Sequence, residues 1–105
     1  MAKGMGNMLK QAQKLQSKIF KLQEEMADKT VETTVGGGMI RAEANGKQEL
    51  TSIKIDPEVV DPNDVAMLED LILAAVNDAL HKAKDMVSQE MNKLAGGLNL
   101  PPGLM

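Results

Sequence analysis

Residues 30–56 read TVETTVGGGMIRAEANGKQELTSIKID, three short strands joined by two tight turns, with a long helical segment hanging from each end. Asn45-Gly46 is the strongest hairpin signal, because a type I′ turn needs positive φ at both central residues and Asn followed by Gly supplies it at little cost. A two-residue turn there sets Ala44 against Lys47, Ala42 against Glu49 and Ile40 against Thr51. Ile53 and Ile55 then fall on the same side of the sheet as Ile40. Centring the first hairpin on Gly37-Gly38 pairs Val35 with Ile40, Thr33 with Ala42 and Val31 with Ala44. The opposite side carries Glu32, Thr34, Arg41, Glu43, Gln48, Ser52 and Lys54, with Leu50 the exception, and is expected to meet water. A sheet with one apolar face must be covered.

The cover has to come from the flanking segments. A chain of 105 residues makes one domain that buries roughly two-thirds of the surface exposed when unfolded. With one Phe, no Tyr, no Trp and nine Met, its core must be thin, which favours a second subunit supplying further burial. There is no Cys and a single His, so disulfides, thiolate metal sites and His clusters are excluded. The longest apolar run, Leu71 to Val76, is far short of the ~20 residues a membrane span requires. Met1-Ala2-Lys3-Gly4 leads into a polar amphipathic stretch and not a signal peptide. A soluble cytoplasmic protein is expected.

Residues 5 to 29 form the first helix, rich in Lys, Gln, Leu, Met and Glu. At about 100° per residue, Lys3, Lys10, Lys14 and Lys21 cluster on one face with Lys18 slightly further round. Met8, Ala12, Leu15, Ile19, Leu22 and Met26 form an apolar stripe on the other side. Glu24, Glu25 and Asp28 fall at the helix C-terminus, where the macrodipole disfavours them, so that end frays or is rescued by Lys21 and Lys29. The net charge of −3 hides an asymmetry: residues 1–23 hold five lysines and no acid, and the remainder holds all fifteen acids with only seven of the twelve bases.

After the sheet, Asp56-Pro57 and Asp61-Pro62 force turns. Asp61 reads as an N-cap with Pro62 at the first helical position, and the second helix is expected over Pro62 to Ala95, stopped by Gly96-Gly97. At 1.5 Å per residue that is roughly 50 Å, longer than the sheet can cover. Its stripe runs Val65, Leu68, Ile72, Val76, Ala79, Ala83, Met86, Val87 and Leu94. Around Leu71 to Val76 the apolar arc widens almost to the full circumference, the pattern of a helix buried on two sides. One side takes this chain's own sheet. The other takes a twin helix, with Leu71, Ile72, Leu73, Ala75 and Val76 as the interface. Beyond Ala83 charge returns, with Glu90 on the stripe itself, and this end is expected to project. The expected organisation is one helix–sheet–helix domain over residues 1–95 and a mobile Gly/Pro/Leu tail over residues 96–105.

Residues 55–83, IDPEVVDPNDVAMLEDLILAAVNDALHKA, resemble the signature of the YbaB/EbfC family of bacterial nucleoid-associated proteins. The likeness extends to the Met/Lys/Gln-rich opening, the Gly36-Gly37-Gly38 and Asn45-Gly46 turns and the Gly/Pro/Leu-rich tail, in that order along nearly the whole chain. Val59-Val60 stand where the family often has leucines. The resemblance implies an α+β protomer of N-terminal helix, three-stranded antiparallel sheet and long C-terminal helix, dimerising through sheet and C-terminal helix into a tweezer-like homodimer with projecting helices. It also implies DNA binding of low sequence specificity and a place in nucleoid organisation and gene expression.

The lysine face fits that expectation on physical grounds. Lysines at intervals of about 6 Å can follow a phosphate backbone, gaining affinity from counterion release without reading bases. Phe20 is the only aromatic residue, too little for base stacking along a single strand. Double-stranded DNA is thus the expected partner, through Lys3, Lys10, Lys14, Lys18 and Lys21, with Lys82, Lys84 and Lys93 as lesser contributors. The overall negative charge opposes approach, but screening over ~8 Å leaves the local face dominant. The alternative is a protein-interaction module for a replication or recombination partner, with DNA contact incidental. The triple glycine lacks the strand-to-helix context and trailing Lys-Ser/Thr of a phosphate loop. Asp56, Glu58, Asp61 and Asp64 are accounted for by capping and by Pro57 and Pro62. No nucleophile, base and orienting group occur in combination, so no enzymatic activity, cofactor or small-molecule substrate is expected.

Overall fold

A computed structural model describes residues 2–97 of the chain, and within them the side chains of residues 6–96. Helix α1 (Ala2–Asp28) leads into strands β1 (Thr30–Val35), β2 (Ile40–Asn45) and β3 (Leu50–Ile55), and after a 3₁₀ turn over Pro57–Val59 the chain enters helix α2 (Val65–Gly97). The sheet is antiparallel in the order β1-β2-β3. The α+β expectation of helix, three-stranded sheet and long helix is met.

The first hairpin has the expected register, Val35 opposite Ile40, Thr33 opposite Ala42 and Val31 opposite Ala44. Gly37 and Gly38 take φ of +70° and +93°, and the Met39 amide donates to the Gly36 carbonyl at 3.4 Å, as a I′ turn requires.

The second hairpin departs from expectation. Ala44 faces Leu50, Ala42 faces Ile53 and Ile40 faces Ile55, with an irregularity between Glu43 and Ala44. The loop is Gly46-Lys47-Gln48, three residues long, with Gln48 in the left-handed region at φ 59°. Asn45 explains the change: its side-chain oxygen accepts from the amides of Lys47 (2.9 Å) and Glu49 (3.0 Å), while its own amide donates to the Glu49 carbonyl at 3.0 Å. This Asx geometry competes with the two-residue turn and wins. The longer loop, with Thr51 bulged, sets Ile53 and Ile55 against β2, whereas the shorter one would run them past its end opposite glycines. The bulge also turns Leu50 to the side of Ala44, so its place on the water side is corrected.

The helix boundaries shift for similar reasons. Asp61 accepts from the Asn63 amide at 2.9 Å and shapes a turn, and Asp64, accepting from the Met67 amide at 3.2 Å, caps α2 instead. The helix therefore begins at Val65, not Pro62. It also continues through Gly96 and Gly97, two residues past the expected stop. The remainder of the expected tail, residues 98–105, lies outside the described residues.

Helix α2 lies across β1 and β2, scarcely touching β3. The junction is built from small residues: Ala75, Ala79 and Ala83 of α2 and Ile40, Ala42 and Ala44 of β2 are all 0% exposed, with Val59 closing one end. Ile40 is the one large side chain among the described residues that is buried completely. Past the sheet, α2 runs beside α1. The radius of gyration is 20.0 Å, against about 13 Å for a compact domain of this length.

The C-terminus of α1 is secured by backbone hydrogen bonds and not by the side chain of Lys21 or Lys29. The Gly46 amide donates to the carbonyls of Met26 (3.0 Å) and Lys29 (3.2 Å), and the Lys29 amide also reaches Met26 O at 3.1 Å. These bonds satisfy carbonyls the helix leaves open and fasten α1 to the tip of the second hairpin.

Candidate nucleic-acid interface

Helix α1 carries the basic face, and its apolar stripe determines where that face points. Leu15, Ile19 and Leu22 are half-buried and Met26 is buried, turned toward α2 and the sheet. Lys10, Lys14, Lys18 and Lys21, roughly 120° round the helix from that stripe, are exposed. Together with Gln13 and Ser17 the four lysines line a shallow trough of about 370 Å³. The ion pairs among the described residues are Arg41–Glu32 at 3.4 Å and Lys93–Glu90 at 3.3 Å, and neither involves these lysines. Lys3 belongs to α1, but its side chain lies outside the described ones.

The lysines of α2 are placed differently. Lys82 donates to the Glu32 carbonyl of β1 at 2.8 Å, so its ammonium serves the sheet edge. Lys84 is exposed. Lys93 shares a crevice of about 380 Å³ with Lys18, Lys21, Leu22, Glu25, Glu90 and Leu94, which joins it to the basic face although Glu90 partly neutralises it. His81 is exposed, as its place on the helix predicts. Asp56, Asp61 and Asp64 each accept a backbone amide, from Glu58, Asn63 and Met67 respectively.

Of the five residues expected to meet a twin helix, Ala75 is 0% exposed within a single chain and belongs to its own core. Leu71 and Ile72 pack against that core as well. Only Leu73, at 60%, is largely open. Leu71 sits beside Gly36 at the end of β1 and Lys82 also reaches β1, so that flank of α2 is turned to β1. At about 100° per residue Leu73, Val76 and Leu80 fall on the opposite flank, over β3. There Leu50, Ile53 and Ile55 remain 36–40% exposed. The sheet was expected to share in such a face, but its β3 residues were not named, although the alternation in LTSIKI and the seven-residue spacing of Leu73 and Leu80 were signals for them.

The architecture is thus that of an α+β chain with one basic helical face outside the ion pairs among the described residues and one apolar face left open. The chain matches the model of the YbaB/EbfC DNA-binding family over residues 1–98 and belongs to that family. It is 60% identical to a nucleoid-associated protein of Thermoanaerobacter sp. (strain X514) over 97 residues, 92% of this chain and 87% of the relative. A nucleoid-associated protein of Pelotomaculum thermopropionicum is 54% identical over 101 residues, covering 96% of each. Among solved structures, an uncharacterized protein of Helicobacter pylori shares the fold with a TM-score of 0.60 at 23% identity, over 83% of this chain and 96% of that one.

Proposed function

We propose that this protein grips double-stranded DNA by its phosphate backbone through Lys10, Lys14, Lys18 and Lys21, discriminating little among sequences, and thereby takes part in nucleoid organisation and gene expression in the bacterial cytoplasm. The observation that carries the reading is the exposed face of four ammonium groups outside the ion pairs among the described residues, in a chain whose first 23 residues hold no acid. Successive lysines rise by about 4.5–6 Å along the helix, a spacing on the scale of backbone phosphates, and each contact releases condensed counterions. Lys93, which shares a crevice with Lys18 and Lys21, extends the face, and Lys3 and Lys84 are further candidates. Four to six contacts give a plot of log affinity against log salt concentration with a slope of about −4 to −5. A slope near zero in a salt-titrated binding assay contradicts backbone binding.

The active unit in this reading is a homodimer. A second copy covers Leu73, Val76 and Leu80 together with Leu50, Ile53 and Ile55, an apolar surface that the thin core of one chain leaves open. Burying a Leu or Ile there contributes about 1.5–3 kcal/mol. Sedimentation at micromolar concentration is expected to give a dimer for the wild type and a folded monomer for Leu73→Asp, whose side chain the protomer does not need. A wild-type monomer, or an unchanged dimer in the variant, contradicts this interface.

A further inference from the structure

One carboxylate stands among the lysines where helix α2 meets α1. Glu90 follows Val76 and Ala83 at seven-residue intervals and lies within about 40° of Leu94 around α2, on the stripe where an apolar side chain would bury most. Instead its carboxylate shares the crevice of about 380 Å³ between the two helices with Lys18, Lys21 and Lys93, and with Glu25. The Lys93 ammonium donates to Glu90 Oε1 at 3.3 Å. Side-chain exposure is 29% for Glu90 and 74% for Lys93, so the acid is held in the crevice while the lysine is free to turn outward. Glu25 is exposed and outside the ion pairs among the described residues.

We propose that Glu90 restrains DNA binding by occupying Lys93 as a phosphate would, which sets affinity below what the basic surface can deliver. The inference rests on the backbone-gripping reading and deepens it. Counterions give the mechanism. A free lysine that meets a phosphate displaces a condensed cation into solution, and the gain grows as salt falls. Lys93 must first leave Glu90, and the bared carboxylate, set beside the phosphates, retains a cation in its place, so the net release is close to nil. The pair itself is no obstacle to binding, since exposed ion pairs three residues apart on a helix are weak. Glu90 also stays beside Lys18 and Lys21 once DNA is bound, and there its charge opposes the phosphates those lysines hold. Glu25 adds a similar charge but ties up no ammonium.

Salt titrations of the full chain against one DNA duplex test the restraint. Glu90→Gln, nearly isosteric with the native residue, is expected to raise affinity about five-fold at about 0.15 M salt and to steepen the log–log slope by about 0.9, the effect of one added contact. Misfolding cannot produce such a gain. Lys93→Gln alone is expected to leave the slope unchanged, whereas in the Glu90→Gln background it returns the slope to the wild-type value, a non-additivity that marks the two as one unit. Glu25→Gln is expected to leave the slope unchanged. Unchanged or weaker binding by Glu90→Gln overturns the proposal, as does a gain that survives the loss of Lys93 or an equal steepening by Glu25→Gln, either of which makes general charge the cause. A wild-type slope near zero strikes the backbone reading and this inference together; a wild-type slope of about −4 to −5 that Glu90→Gln does not alter overturns the inference alone.

Discussion

Alanine at Gly46 is expected to destabilise the protein by about 2–3 kcal/mol, the upper range for overpacking, and to lower its melting temperature by roughly 10–20 °C. A Cβ on Gly46 collides with the Met26 carbonyl, and comes within 2.6 Å of the Met26 carbonyl carbon and 2.8 Å of its Cβ. These are mainly backbone atoms at a helix end, so no side-chain rotation relieves the clash. Relief requires moving α1 away from the hairpin, which lengthens both hydrogen bonds from the Gly46 amide. Gly37 is the contrasting case: it has φ +70° and nothing within 4 Å of a built Cβ, so Gly37→Ala costs only the left-handed backbone penalty, about 1 kcal/mol. Thermal unfolding followed by circular dichroism distinguishes the two. Equal melting temperatures for Gly46→Ala and wild type contradict the clamp between α1 and the sheet.

Gly46 also shows where local reading of the chain stops. The hairpin was legible from Asn45-Gly46, but for the wrong reason, because this glycine does not adopt a positive φ; Gln48 does. Its missing side chain serves a helix end about 20 positions earlier, and such an approach leaves no periodic trace. The first hairpin was readable because three glycines supply the torsions locally and the alternation on both strands agrees with them. In the second, Asn45 could support either a two-residue turn or an Asx-stabilised loop, and the strand pattern alone does not separate the two. Asp61 and Asp64 posed a similar choice. Both are good caps, and the first, followed by proline, matched the N-terminal signal better than the residue the fold uses.

The candidate DNA face was legible because exposure on a helix follows from angle. Lys10, Lys14, Lys18 and Lys21 lie where 3.6-residue periodicity puts them. Whether a lysine is free depends on its neighbours in space, as Lys82 illustrates through its bond to a carbonyl fifty positions away. The open apolar face was half legible for the same reason. Leu73 stood out within a wide apolar arc, whereas Ala75 belonged to the same arc and proved to be core, since arc width does not say which side meets the sheet.

Charge reversal on α1 carries the largest expected effect on binding. Replacing Lys10, Lys14 and Lys18 by Glu removes three phosphate contacts, and at about 0.15 M salt each contact is worth roughly 0.7 log unit of affinity through counterion release. Loss of the three contacts lowers affinity by about 100-fold or more, before the added repulsion. The folded state should tolerate the change, because all three side chains are exposed and outside the ion pairs among the described residues. The most direct measurement is titration of wild type and this triple variant against two duplexes of unrelated sequence at one salt concentration. Backbone gripping by the α1 lysines predicts that loss in equal measure on both duplexes, while an unchanged affinity, or a loss confined to one sequence, contradicts it.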